Sequence, residues 1–166
     1  MSEQALNPQD KLKALIKEAH IMMLTSMHGG KHYSRPMALM KAEYDGTLWF
    51  FTSNDSEKIC EIKSNPGVNV SYQSDKDATY ISIVGNAEIV EDLERIKELW
   101  TPMVKAWFDG PEDPEICLLK VVPESGEYWN DEKSKAAQVL AYAGSMVAGK
   151  QIGMGDNETV DMTVTK

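Results

Sequence analysis

Thr47-Leu48-Trp49-Phe50-Phe51-Thr52 runs directly into Ser53-Asn54-Asp55-Ser56-Glu57-Lys58, and this junction decides the fold. The first six residues are aromatic and β-branched, which favours a strand. The next four are helix-capping types, so a short helix starts at once, with Ile59 and Ile62 inward, and stops before Asn65-Pro66-Gly67. Upstream, Gly29-Gly30 and Tyr44-Asp45-Gly46 are tight turns that link residues 20–27, 33–40 and 47–52 into antiparallel strands. Downstream, residues 68–74 alternate, residues 79–90 form a longer strand with a bulge at Gly85, and residues 116–122 form the last long one. Asn7-Pro8 caps a first helix carrying Leu12, Leu15, Ile16 and Ala19. Asp92 caps another, with Leu93, Ile96, Leu99 and Trp100 on one face; Thr101-Pro102 restarts it, and Val104, Trp107 and Phe108 continue the stripe. Ala136, Val139, Leu140, Ala143 and Val147 mark a C-terminal helix. The strands do not alternate strictly with helices. The reading is a mainly β (α+β) chain, a small antiparallel barrel with helices at its ends. Residues 8–150 form the domain, and 151–166 read as a polar, flexible tail.

The 166 residues suit one domain with a full-sized core. The formal charge of −9, with no Lys/Arg cluster, gives no footprint for nucleic acid or anionic lipid. Cys60 and Cys117 are too few and too far apart for a disulfide framework and read as buried small hydrophobes. No apolar run reaches the length of a membrane span, and Met1-Ser2-Glu3-Gln4 does not resemble a signal peptide. The expectation is a cytoplasmic protein.

Two near-motifs fail on chemistry. Gly144 to Gln151 approximates a phosphate-binding loop but ends in Gln151 where a hydroxyl is needed, and it closes a helix instead of opening one. Gly153-Met154-Gly155 has no room for a βαβ unit. His28 and His32 flank a hairpin turn without a third ligand, so no metal site is expected. Met22-Met23 and Met37 to Met40 read as core, and Trp100, Trp107 and Phe108 as core or interface. The chain has 15 lysines and two arginines. Arg95 reads as solvated on a helix. Arg35, in Ser34-Arg35-Pro36-Met37, suits equally a hairpin-end surface charge or an anion ligand. The strand, hydroxyl-rich turn and helix start at Phe51 to Lys58 make a phosphate recipe: Thr52 and Ser56 donate, Lys58 adds charge, and the helix dipole favours an anion. An ordinary capped helix is the alternative, and Glu57 weighs against an anion.

Ser34-Arg35-Pro36-Met37, Leu48-Trp49-Phe50-Phe51-Thr52-Ser53, Ser56-x-Lys58 and Asn65-Pro66 together resemble the FMN-binding split barrel of pyridoxamine 5'-phosphate oxidase-like proteins. Trp100-Thr101-Pro102, Ala106-Trp107-Phe108, Asp113-Pro114 and Glu127-Tyr128-Trp129 resemble its general stress protein branch. The resemblance implies a six-stranded split barrel and a homodimer with FMN at the subunit interface. It implies that Arg35 and the backbone around Pro36 and Met37 lie along the flavin. It implies that Phe51, Thr52, Ser53, Ser56 and Lys58 take the ribityl phosphate, and that Tyr80, Trp107 and Phe108 approach from the second subunit. Met40 and Glu57 stand where the oxidase has a lysine and an arginine, and its C-terminal Arg-x-His is absent, which argues against pyridoxamine phosphate oxidation. No catalytic acid or base is identified. The functional expectation is a flavin-dependent oxidoreductase moving electrons from NAD(P)H to a small acceptor. The alternatives are a flavin store or sensor, or a related barrel holding deazaflavin or haem, for which His20, His28 and His32 would be the axial candidates.

Overall fold

In a computed structural model, residues 7–43, 45–130 and 156–163 are described. Asn7 accepts a hydrogen bond from the Asp10 N–H with its side chain, and Pro8 occupies the first turn of α1 (Pro8–Lys17). β1 (Ile21–His28) and β2 (Lys31–Ala42) form the first hairpin, in which Gly29 and Gly30 both take positive φ, as a two-residue turn matched to strand twist requires. β3 (Leu48–Ser53), α2 (Glu57–Ser64), β4 (Gly67–Ser74), β5 (Thr79–Val90), α3 (Leu93–Leu99), a 3-10 turn at Val104–Ala106, β6 (Ile116–Asn130) and β7 (Asp156–Asp161) follow.

The sheet order is β3-β2-β1-β4-β5-β6-β7, and β3 also pairs with β6, so the first six strands close into an antiparallel barrel. β6 makes this possible by its length. β5 pairs along one edge of it, while the other edge is divided between β3 at Ile116 to Val121 and β7 at Ser125 to Asn130. The ladder between β5 and β6 slips at Val84/Gly85, the expected bulge. A Cβ at Gly85 would run into the Val122 carbonyl oxygen and lie 3.0 Å from Pro123 Cα. Inward-pointing Leu24, Phe50, Val70, Ile81, Ile83, Leu119 and Val121 fill the barrel, and Leu12 and Ile16 of α1 close one end. A second, smaller cluster of Trp49, Ile96, Leu99, Ile116 and Leu118 lies where α3 covers the outer face of β3 and β6.

The structure departs from the sequence reading in several places. β6 runs eight residues past Val122, to Asn130. Within the expected tail, Asp156–Asp161 is a strand, and Val160 and Met162 are buried against the core. That segment is polar except at the two positions that touch the barrel, as befits an edge strand. α3 stops at Leu99 and is not restarted as an α-helix, because Pro102 cannot continue it. Met22 and Met37 are core residues, but Met23 faces outward and is 39% exposed. The expected C-terminal helix lies outside the described residues. No helix among the described residues is long and apolar enough to cross a membrane.

Met162→Ala is expected to lower unfolding free energy by about 2–4 kcal/mol in urea titrations. A loss under about 0.5 kcal/mol, the scale of a neutral surface change, would detach residues 156–163 from the barrel.

Candidate functional site

The junction between β3 and α2 gathers the most concentrated set of polar side chains with a cation. Thr52, the last inward residue of β3, is buried, and Lys58 in the first turn of α2 donates to its Oγ1 at 3.0 Å. Ser56 Oγ lies 3.3 Å from the same oxygen and donates to the Ser53 carbonyl at 2.8 Å. Ser56 therefore occupies the N-cap position without capping the helix through its side chain. The first N–H groups of α2 lack the acceptor that a serine there normally supplies. The turn is fixed from outside: Asn54 N–H donates to the Glu115 carbonyl at 2.9 Å and its side-chain amide to the Pro114 carbonyl at 2.9 Å. Ser53 bonds Asp55. Burial first, and the Arg35 charge second, hold the Lys58 ammonium below the usual lysine range, while Glu61 and Asp55 oppose that shift. A half-buried cation, two hydroxyls and an open helix start form a donor set for a phosphate monoester. Glu57 is exposed.

Arg35 extends from β2 toward the same helix. Its Nη1 donates to Ser26 Oγ at 2.5 Å and its Nη2 pairs with Glu61 Oε2 at 2.7 Å; Ser26 also donates to Glu61. Neither open reading of Arg35 anticipated this: it is a partly buried cation tied to a carboxylate that is 6% exposed. Burial pushes the Glu61 carboxyl upward, but the hydrogen bonds from Ser26 and Arg35, together with the Arg35 charge, outweigh it and leave the group below the usual glutamate range. Glu61 and Ser26 were missed in the sequence. The available signal was the i,i+3 spacing of Lys58 and Glu61 on one helix face.

The remaining expected residues are dispersed. Met37 points into the core, whereas Pro36 is exposed on the outer face of β2. Phe51 packs edge-to-face on Trp100 at 6.0 Å, on the α3 side of β3. Trp107 is 65% exposed and so is not core, and Phe108 is partly buried against the second cluster. Tyr80 lies on the outer face of β5, 37% exposed. Thr52 pairs with Cys117, and Leu118 with Val90, so reaching Tyr80 means running back along β5 from Val90, about 30 Å of strand. Within one copy, Tyr80 cannot join the Thr52 cluster.

Cys60 is exposed on α2, whereas Cys117 is buried and burial pushes its thiol up to about 11, leaving it inert at neutral pH. Arg95 is not solvated: it pairs with Glu43 and with Glu98 at 2.6 Å and lies 4.5 Å from the Trp49 ring centre. His20, His28 and His32 are exposed, and among the described residues no group of three His, Cys, Asp or Glu could hold a metal.

Residues 7–153 match the family model described as pyridoxamine 5'-phosphate oxidase like. General stress protein 26 of Bacillus subtilis is 29% identical over 126 residues, covering 72% of this chain and 88% of that protein. The crystal structure of General Stress Protein 26 from Bacillus anthracis superposes with a TM-score of 0.68 at 28% identity, covering 74% of this chain and 94% of that one. The structure of a general stress FMN/FAD binding protein from Xanthomonas citri does so with a TM-score of 0.65 at 30% identity, covering 76% of this chain and 89% of that one.

The depressed Glu61 carboxyl carries a pH dependence. The folded chain binds fewer protons here than the unfolded chain, so the ion pair's contribution is complete above about pH 4.5 and drains as pH falls through the folded value. Glu61→Gln should cost about 2–3 kcal/mol at pH 7, somewhat less than a fully enclosed pair because Arg35 is partly solvated. The gap to wild type should narrow by pH 3 in denaturant unfolding. A gap of equal size at both values would deny the pair its electrostatic role.

Proposed function

The chain belongs to the pyridoxamine 5'-phosphate oxidase-like family, and from that premise we propose that it binds a flavin, specifically FMN, between two copies of itself. The observation that carries the proposal is the cluster of Thr52, Ser56 and Lys58 at the uncapped start of α2. Its donors match a terminal phosphate monoester, and Lys58 supplies a charge that burial makes more effective there than in water. Arg35 reaches the ligand from the hairpin strand beside that cluster, and the backbone at Pro36 and Met37 takes the flavin ring's side.

The outer face of the sheet supports the second copy. Ile21, Met23, Val84 and Tyr80 are all exposed, and Pro36 stands opposite Met23 in the β1/β2 ladder. The row continues through Ser71 of β4 to Ser82 of β5, without a charged side chain. An exposed sheet face that sets apolar side chains among uncharged polar ones suits a protein interface, which is itself partly polar. A second copy on this face would bring a Tyr80 that one copy does not bring to its own phosphate cluster, with Trp107 and Phe108 proposed to approach from that copy as well. The flavin, when bound, supplies hydride and electron transfer, and the chain holds it, orients it and excludes water from its ring. NAD(P)H is the proposed electron source and a small molecule the acceptor.

Calorimetric titration with FMN and with riboflavin tests the reading. Lys58→Ala should weaken FMN binding by about 1–3 kcal/mol and leave riboflavin binding unchanged. Sedimentation should find a dimer. Equal affinity of the wild type for the two flavins, or no binding of either, would overturn the proposal.

A further inference from the structure

Glu61 has no place in the phosphate recipe, since a carboxylate repels the ligand. It is nevertheless the one charged side chain that is buried among the described residues, and it accepts hydrogen bonds from Ser26 and Arg35. It sits one turn beyond Lys58 on the same helix, so α2 carries both one cation and the anchor of the second one. The three members come from three elements: Ser26 from β1, Arg35 from β2 and Glu61 from α2.

We infer that Glu61 is a positioning residue for the phosphate site: with Ser26 it fixes the Arg35 guanidinium across β1 onto α2, beside Lys58. The inference rests on the FMN reading above and deepens it.

The geometry supports this over a purely stabilising ion pair. Arg35 has five N–H donors in a rigid fork. Two nitrogens are engaged by Ser26 and Glu61, one bond to each. The remaining N–H groups then point in directions set by the protein, and no rotamer freedom is lost when a ligand oxygen arrives. Without the anchor, two like charges would face each other at the start of α2, and the longer, partly exposed Arg35 would swing to solvent. Glu61 counters that repulsion: Arg35 lowers and Glu61 raises the proton affinity of Lys58.

The test is the ratio of affinities for riboflavin phosphate and riboflavin, which share the ring and differ in the phosphate. Glu61→Ala should reduce that ratio about tenfold, the scale of one charge-assisted hydrogen bond. Glu61→Gln keeps an acceptor for Ser26 and Arg35 and should restore most of it. Arg35→Ala should reduce the ratio comparably, and Arg35→Ala/Glu61→Ala should be no worse than Arg35→Ala alone. Ser26→Ala removes one strut without stranding a charge and should give a smaller loss, which keeps the test open if Glu61→Ala does not fold. An unchanged or increased ratio in Glu61→Ala, losses that add in the double variant, or Glu61→Gln as poor as Glu61→Ala would each overturn the inference. A wild type that does not distinguish the two flavins fails the FMN reading itself, whereas a discriminating wild type with an indifferent Glu61→Ala fails this inference only.

Discussion

The pairing of β3 with the first half of β6 is the constraint on which the rest depends. Without it the six strands would be an open, twisted sheet with two unprotected edges. With it, Ser53 is held opposite Ile116, and the turn after β3 is pressed against the loop before β6, where Asn54 bonds Glu115 and Pro114. The start of α2 is thereby fixed in space by a barrel closure made of backbone hydrogen bonds. A site that must hold donors within a few tenths of an ångström gains from being set on such an element instead of on a free loop.

Much of this was legible because the early strands are joined by tight turns. Gly29-Gly30 could only be a hairpin, and Ser53 to Ser56 could only open a helix. What was illegible fails for identifiable reasons. The α3 stripe was extrapolated through Pro102 at a period of 3.6, and the chain abandons that period there, so Trp107 leaves the face it was assigned. β7 hides because an edge strand needs only Val160 and Met162 to touch the core, and the other residues can stay polar. The gathering of Thr52, Ser56 and Lys58 was readable from residue types alone. Its buried counter-charge was not, because a glutamate in a helix reads as solvated until a strand arginine is seen to reach it.

Charge makes the same point at the scale of the chain. A net of −9 gives no long-range attraction for a phosphorylated ligand. Any anion site must therefore work at contact distance, through a few oriented donors whose field is not averaged away by solvent. Asp55 and Glu57 lie beside the cluster, and Asp55 is turned aside by its bond from Ser53. Two cations next to each other are costly without a ligand, and one buried carboxylate offsets part of that cost. A side chain at position 61 unable to accept from Ser26 and Arg35 would leave the empty site less well ordered.

The order of assembly follows from the same geometry. The Thr52 cluster is complete within one copy, because every member lies on β3 or α2. The apolar face bearing Met23, Val84 and Tyr80 is not, because nothing in the chain's described residues covers it. If FMN binds as proposed, one copy grips its phosphate and a second copy is needed to enclose the ring. Phosphate affinity should then be a property of the fold, and ring affinity a property of the dimer. A ligand with both parts couples folding of the α2 junction to association of the sheets, since each additional contact counts only in the state where both are formed.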